Sequence, residues 1–464
     1  MSQGYGESAG HSGHGSGHGT WSVCPVCLQR IPAQRARQGQ DVYLRKHCPE
    51  HGSFATIIWR GQEPGFADWV RPKTPSGPQQ PQTSADKGCP HSCGLCAGHK
   101  QRTCTALLEV SQRCGLQCPV CFADAGNQQP DPDLDTVAFW YEQVLQTSGP
   151  SNIQLSGGEP TQRDDLDRII GLGRDAGFSF VQLNTNGLRL AREPGYAQHL
   201  RDAGLDSVFL QFDGVSEGVY ERLRGAPLWR DKQLVVEACC RAGLGVVLVP
   251  TLVPGVNVRE VGDILRFALS AGPQVRGVHF QPISYFGRFP SPPRDQDRLT
   301  LPEVMRAVQE QTQGLVPLGS FQPPGCEHSL CSFHGNYLRT PGGGLQPLSQ
   351  SNISKSACCS QPESAEQGAL RSIDYTAKQW AGAGIESEAR STTARDFDGL
   401  LNQLTTWRFS ISGMAFQDAW NLDLERLQGC CIHVVAPDGR LVPFCAYNLS
   451  AASGRTLYRG VVPA

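Results

Sequence analysis

The stretch ALLEVSQRCGLQCPVCFA, from Ala106 to Ala123, decides how this chain is read. It opens as an apolar run of strand length and becomes a loop carrying Cys114, Cys118 and Cys121. Spacings of four and three residues let the three thiolates converge on one face of a cluster, and thiolates are the soft ligands iron–sulfur clusters take. A four-iron cubane offers a fourth corner, and no further cysteine follows until Cys239. One iron is then left open, as at a catalytic metal site. The competing reading is a zinc knuckle, which wants a fourth Cys or His close by.

Working outward, the next apolar run is NIQLSG from Asn152, and it ends in Gly157-Gly158-Glu159-Pro160. Glycines let backbone approach a ligand, and Glu159 offers an acceptor for an ammonium group. Four more runs follow: FVQLNTNG from Phe180, SVFLQFDG from Ser207, GVVLVPTLV from Gly245 and GVHFQPI from Gly277. Between them lie the helical patterns DTVAFWYEQVLQ, DLDRIIGLGRDAG, KQLVVEACCRAG and REVGDILRFALSAG, several ended by Gly. Such alternation predicts an α/β fold over 105–315, a parallel sheet with right-handed crossovers closed or partly closed into a barrel. Chemistry in such folds sits at the carboxyl ends of the strands, where most of the polar motifs fall.

The cysteine triplet, GGEP and the polar strand ends together resemble the radical S-adenosylmethionine (radical SAM) superfamily over roughly residues 104–290. The resemblance implies a partial (β/α)6 TIM-like barrel and a 4Fe-4S cluster on Cys114, Cys118 and Cys121, with S-adenosylmethionine chelated at the open iron. The turn Gly157, Gly158, Glu159, Pro160 would hold its amino group, and Asn184, Asn186, Gln211, Asp213, Thr251 and Gln281 would contact cofactor or substrate. The plainer reading of these polar residues is that they cap loops. Many superfamily members carry an aromatic just before the third cysteine; here that position is Val120, with Phe122 just after, as the residue left to meet adenine. The implied chemistry is reductive cleavage of the sulfonium to a 5′-deoxyadenosyl radical that takes hydrogen from substrate.

Nineteen cysteines without an export signal read as metal ligation. CPHSCGLC, with Cys89, Cys93 and Cys96, repeats the triplet spacing, and Cys104 is placed to close an auxiliary 4Fe-4S cluster; zinc or free thiols are the alternatives. CPVC and KHCPEHG give Cys24, Cys27, Cys48 and His51, a tetrahedral site for one mononuclear iron or zinc. Cys326, Cys331, Cys431 and Cys445 suit a second auxiliary cluster, with Cys430 as the alternative to Cys431. Cys239, Cys240, Cys358 and Cys359 fit no ligand spacing.

At 464 residues, with 41 basic against 43 acidic, the chain gives no electrostatic reason to expect nucleic acid or an anionic membrane as partner. No apolar run reaches transmembrane length, so a cytoplasmic location is expected. Residues 1–20, rich in Gly, Ser and His, read as disordered; 21–60 as a small rubredoxin-like or zinc-ribbon-like module; 61–88, rich in proline, as a linker; and 89–104 as the auxiliary segment. Residues 316–464 read as an irregular C-terminal auxiliary-cluster domain with one hairpin-like stretch and an insertion from Pro341 to Arg390.

Over most of its length the chain is similar to the tetraether-lipid-synthase-like branch of the superfamily, which also includes pterin dimethyltransferase-like members. CPVC with KHCPEHG, GCPHSCGLCAGHKQRTC, SGGEPT, QFDG and PFCAYN carry this likeness. It implies auxiliary centres around one radical site and a low-potential electron donor such as flavodoxin or ferredoxin. Two reactions fit, carbon–carbon coupling of lipid alkyl chains and radical methylation of a pterin-like or other heteroaromatic substrate. The first predicts a long apolar tunnel and the second a compact polar pocket; resemblance favours the lipid. An iron–sulfur electron carrier without catalysis is the reading from another class.

Overall fold

The computed structural model describes residues 18–71, 73–126, 130–340, 343–348, 364–382 and 406–460. The expected disordered segment falls outside these residues up to position 17, as do Cys358 and Cys359. Strand β1 (His18–Val23) begins three residues inside that segment and pairs antiparallel with β2 (Arg30–Gln38), followed by β3 (Asp41–Cys48) and β4 (Gly52–Trp59) in a four-stranded meander. This module is docked tightly: Arg35 pairs with Asp423 at 2.7 Å, and the buried Lys46 donates to the Ala419 carbonyl at 2.7 Å. The proline-rich stretch after it is anchored rather than a free tether. Trp69 is buried against Trp59 and donates its indole N–H to Ser329.

Six parallel strands form the barrel wall: β5 (Thr105–Ser111), β6 (Asn152–Gly157), β7 (Val181–Thr185), β8 (Ser207–Gln211), β9 (Gly245–Val249) and β11 (Val275–Pro282). All six match the expected runs. Pro250 lacks the N–H a ladder needs, so the fifth run breaks after Val249 into the two-residue β10 (Thr251–Leu252), paired with β11. Amphipathic helices α1 (Leu134–Ser148), α2 (Leu166–Asp175), α3 (Trp229–Arg241) and α4 (Val261–Ser270) cover the outside. Leu108, Val110, Ile153, Leu155, Leu183, Val208, Leu210, Val246 and Leu248 are fully buried in the core between sheet and helices.

The C-terminal third holds more regular structure than its composition predicts. β14 (Arg408–Met414) pairs parallel with β11, and the hairpin β12 (Ser332–Thr340) with β13 (Gly344–Pro347) continues that edge. At the opposite edge a second hairpin, β15 (Ile432–Val435) with β16 (Leu441–Pro443), pairs β15 parallel to β5. Both exposed edges of the barrel sheet are thereby covered. Inside the expected insertion lies α5 (Ala365–Trp380), started by a capping box in which Ser364 accepts from Gln367 N–H. It closes the side of the barrel mouth.

Candidate functional site

Beyond β5 the chain enters the cysteine loop, and Gly157 and Gly158 fix where that loop runs. Gly158 N–H donates to Ser111 O at 2.7 Å and Glu159 N–H to Arg113 O at 2.8 Å. A Cβ on either glycine would collide with those carbonyls, and Gly157 has φ +123°, so both positions require glycine. The glycines thus bring two protein backbones together as well as lining the cavity. Two arginines hold the far side of the loop. Cys121 and Arg288 exchange backbone hydrogen bonds at 3.0 and 2.9 Å, and the Arg288 guanidinium donates to Cys118 O at 3.0 Å. Arg459, paired with Glu109, donates to Ala123 O at 3.2 Å.

Cys114, Cys118 and Cys121 line one cavity of about 900 Å³ at the carboxyl ends of the strands. Burial, with Glu159 and the other two cysteines close by, pushes the Cys114 thiol up to about 11, so a bound cation is what would ionise it. The three soft sulfurs of this donor set do not gather within 4.8 Å of one another, and among the described residues no carboxylate or imidazole joins them in a close four-ligand group. That set suits a cubane with one open corner better than a zinc knuckle.

Glu159 is buried, and its carboxylate already accepts from Thr161 N–H, Thr161 Oγ1, Thr185 Oγ1 and Asn186 N–H at 2.6–3.1 Å. Four donors leave little of it for an ammonium. Pro160 starts the turn behind and is buried away from the cavity. Asn184, Asn186, Gln211, Thr251, Gln281 and Phe122 all line the cavity; the Asn186 amide oxygen also caps Leu188 N–H. Asp213 does not line it. Its carboxylate is fully buried and grips Arg224 through two bonds of 2.7 Å, so its action passes through that guanidinium. Arg224 does line the cavity, where it meets Gln211 at 3.2 Å and Thr251 Oγ1 at 3.3 Å.

Sequence reading missed Arg224, because an ion pair eleven residues apart follows neither the helical nor the strand period. It also missed Lys232, fully buried behind the loop, which donates to Asn186 O at 2.6 Å and is brought down to about 8 by burial. His279 was missed too. It contacts Ser412 Oγ at 2.8 Å, lies among Phe209 and Trp380, and is held down to about 4 by burial.

The other thiols regroup. Cys24, Cys27, Cys48 and His51 come within 4.8 Å of one another, as expected. Cys104 does not join Cys89, Cys93 and Cys96: its sulfur lies against Cys326, and Cys431 completes a trio within 4.8 Å. The Cα atoms of Cys104 and Cys326 are 7.7 Å apart, wider than a relaxed disulfide spans (about 4.4–6.8 Å) and compatible with ligands converging on a centre. The reason is the ladder: Cys104 and Thr105 donate to Cys431 O as β5 meets β15, which carries Cys104 away from the upstream trio. The expected set of Cys326, Cys331, Cys431 and Cys445 is therefore split. Cys331 and Cys445 lie with Cys430, whose thiol is raised by burial and by those two neighbours. Cys89, Cys93 and Cys96 line a separate pocket of about 120 Å³ with Arg30 and His99.

Comparison with known proteins agrees with this geometry. Residues 108–268 match the Radical SAM superfamily, and residues 18–60 match the HMPTM N-terminal zinc ribbon domain. The chain is a radical SAM iron–sulfur enzyme, with a partial barrel and added modules. Within the superfamily it belongs to the family of the 7,8-dihydro-6-hydroxymethylpterin dimethyltransferase of Methanocaldococcus jannaschii, to which it is 35% identical over 92% of this chain and 93% of that protein. A probable GTP 3′,8-cyclase of Archaeoglobus fulgidus is 27% identical over 52% of this chain and 83% of its own length. Among solved structures, Streptococcus suis SuiB bound to S-adenosylmethionine is similar over 46% of this chain and 47% of that one, at 12% identity and a TM-score of 0.35. Among the described residues no helix is long and apolar enough to cross a membrane.

Proposed function

We propose that this enzyme forms a carbon–carbon bond by radical transfer of a one-carbon unit to a polar, pterin-like heteroaromatic substrate held at the strand ends. Cys114, Cys118 and Cys121 hold the 4Fe-4S cluster, which when bound supplies the electron that cleaves S-adenosylmethionine to a deoxyadenosyl radical. Gly157 and Gly158 keep the ligand loop in register with β6, and Arg224, steadied by Asp213, presents a cation to the cavity. Cys24, Cys27, Cys48 and His51 hold a single metal ion; Cys104, Cys326 and Cys431 serve an auxiliary centre at the cavity's far wall, and Cys89, Cys93 and Cys96 another.

The observation that carries the substrate reading is the wall of the cavity. Gln154, Ser156, Asn184, Gln211, His279 and Gln281, from four strands, all face it. Amides, a hydroxyl and an imidazole are costly to cover with alkyl chain and well suited to the edge of a heterocycle. The relative's own name points the same way. A second reading, coupling of lipid alkyl chains, is favoured by the opposite wall, where Phe122, Phe286 and Phe416 surround Phe444 at 4.5–6.0 Å between ring centres.

The test is anaerobic turnover of reconstituted enzyme with S-adenosylmethionine, a reductant and either a dihydropterin with a one-carbon donor or a dialkyl phospholipid. A methylated pterin supports the first reading. Cross-linked alkyl chains, with two deoxyadenosines per bond, would replace it with the second, and no deoxyadenosine at all would return the protein to the electron carriers.

A further inference from the structure

Reductive chemistry at the cavity needs electrons from outside, and the cysteine groups differ in how they meet the surface. Cys104, Cys326 and Cys431 are buried, and Cys114, Cys118 and Cys121 open on the cavity that substrate must fill. Cys89 and Cys96 are only half-buried. The pocket they share with Cys93 is bordered by Arg30, which reaches over from the N-terminal module to Gly88. Arg30 also lies 4.2 Å over the ring of Trp21, which is 46% exposed. Lys87 and His91 flank the same rim at Gly88: His91 N–H donates to Gly88 O at 2.8 Å and Lys87 N–H to Ser92 Oγ at 3.0 Å.

Arg30 and Lys87 are exposed, and among the described residues neither is ion-paired with a carboxylate; the neighbouring Asp86 is engaged by Ser84 at 2.7 Å. In a chain with 41 basic and 43 acidic residues, such a rim is a local feature. The exposed Trp21, under the Arg30 guanidinium, adds apolar surface beside it. Inward, the same pocket is lined by Leu427, Gln428 and Pro443, from the segments that carry Cys430 and Cys445, and His99 Nε2 contacts Cys430 O at 2.8 Å.

We infer that the face formed by Trp21, Arg30, Lys87 and His91 is the docking site for a small acidic electron-donor protein, which delivers electrons at Cys89, Cys93 and Cys96. The inference rests on the proposed reading of that trio as a redox-cluster site. Each event moves one electron: the donor is oxidised by one, the cluster is reduced by one, and no bond or proton is exchanged. Opposite charge across the contact steers encounter, so the rate carries the signature of the face.

The experiment is stopped-flow reduction of anaerobically reconstituted, full-length protein by reduced flavodoxin, with dithionite in parallel. The wild-type rate with flavodoxin should fall as salt rises. Lys87→Glu, at an exposed side chain, and Arg30→Glu should each slow flavodoxin several-fold, and together at least tenfold, with dithionite reduction unchanged. A flavodoxin rate indifferent to salt and to both charge reversals overturns the proposal, as does an equal loss with dithionite, which would trace the defect to the centre itself. Iron content unaltered by Cys93→Ser would instead sink the reading of the trio as a cluster site.

Discussion

Gly158 donates its backbone N–H to the carbonyl of Ser111 at 2.7 Å, tying the end of β6 to the start of the loop that carries Cys114, Cys118 and Cys121. A side chain at 157 or 158 would push these backbones apart. Gly158→Ala is therefore expected to cost the protein the iron of this loop and more than tenfold of its deoxyadenosine formation. The metal of the N-terminal Cys24, Cys27, Cys48 and His51 group, whether iron or zinc, should be retained, as metal analysis and product chromatography would show.

Glu159 anchors two strand ends at once through Thr161, Thr185 and Asn186. Glu159→Ala leaves four donors without an acceptor in a buried place, and an unsatisfied buried donor costs roughly 1–3 kcal/mol. A loss of at least about 3 kcal/mol in anaerobic denaturant unfolding is expected. An unchanged midpoint would mean the carboxylate is free to serve a ligand instead.

The sulfur of Cys104 lies within 4.8 Å of those of Cys326 and Cys431 and is not grouped with Cys89. Cys104→Ala and Cys326→Ala should each remove the same spectroscopic component, and the double variant should lose no more. Cys93→Ala should remove a different one. Additive losses from Cys104→Ala and Cys326→Ala would restore the assignment made from spacing.

The barrel was legible because each parallel strand is an unbroken apolar run followed by a helical period, and because GGEP follows directly on the strand after the triplet. The cysteine partition was not. Spacing along the chain placed Cys104 with Cys96, whereas pairing of β5 with β15, more than three hundred residues apart, moved it to Cys431. Asp213 was legible as a polar strand end, but its partner Arg224 was not, since an ion pair eleven residues apart leaves no periodic trace. Helix α5 did leave one: Ser364 and Gln367 spell a capping box that the Gly, Ser and Gln content of its surroundings obscured.

Three buried imidazoles contribute to the response to acid. His99 and His279 are held down to about 4, and His433 well below its usual value, in each case chiefly by burial. As pH falls below about 6.5 the unfolded chain takes up these protons first, so stability declines from there toward pH 4. His279→Gln should make that decline shallower by one proton, up to about 2 kcal/mol between pH 7 and 5, in anaerobic denaturant titrations. An identical slope for wild type and variant would show His279 to be already accessible to protons.

The most direct test is electron paramagnetic resonance of the anaerobic, reduced protein before and after adding S-adenosylmethionine. A cluster held only by Cys114, Cys118 and Cys121 should change its signal when the sulfonium compound binds, and that responsive component should vanish in Cys118→Ala while the others persist. A spectrum that ignores S-adenosylmethionine and is the same in Cys118→Ala would contradict the assignment.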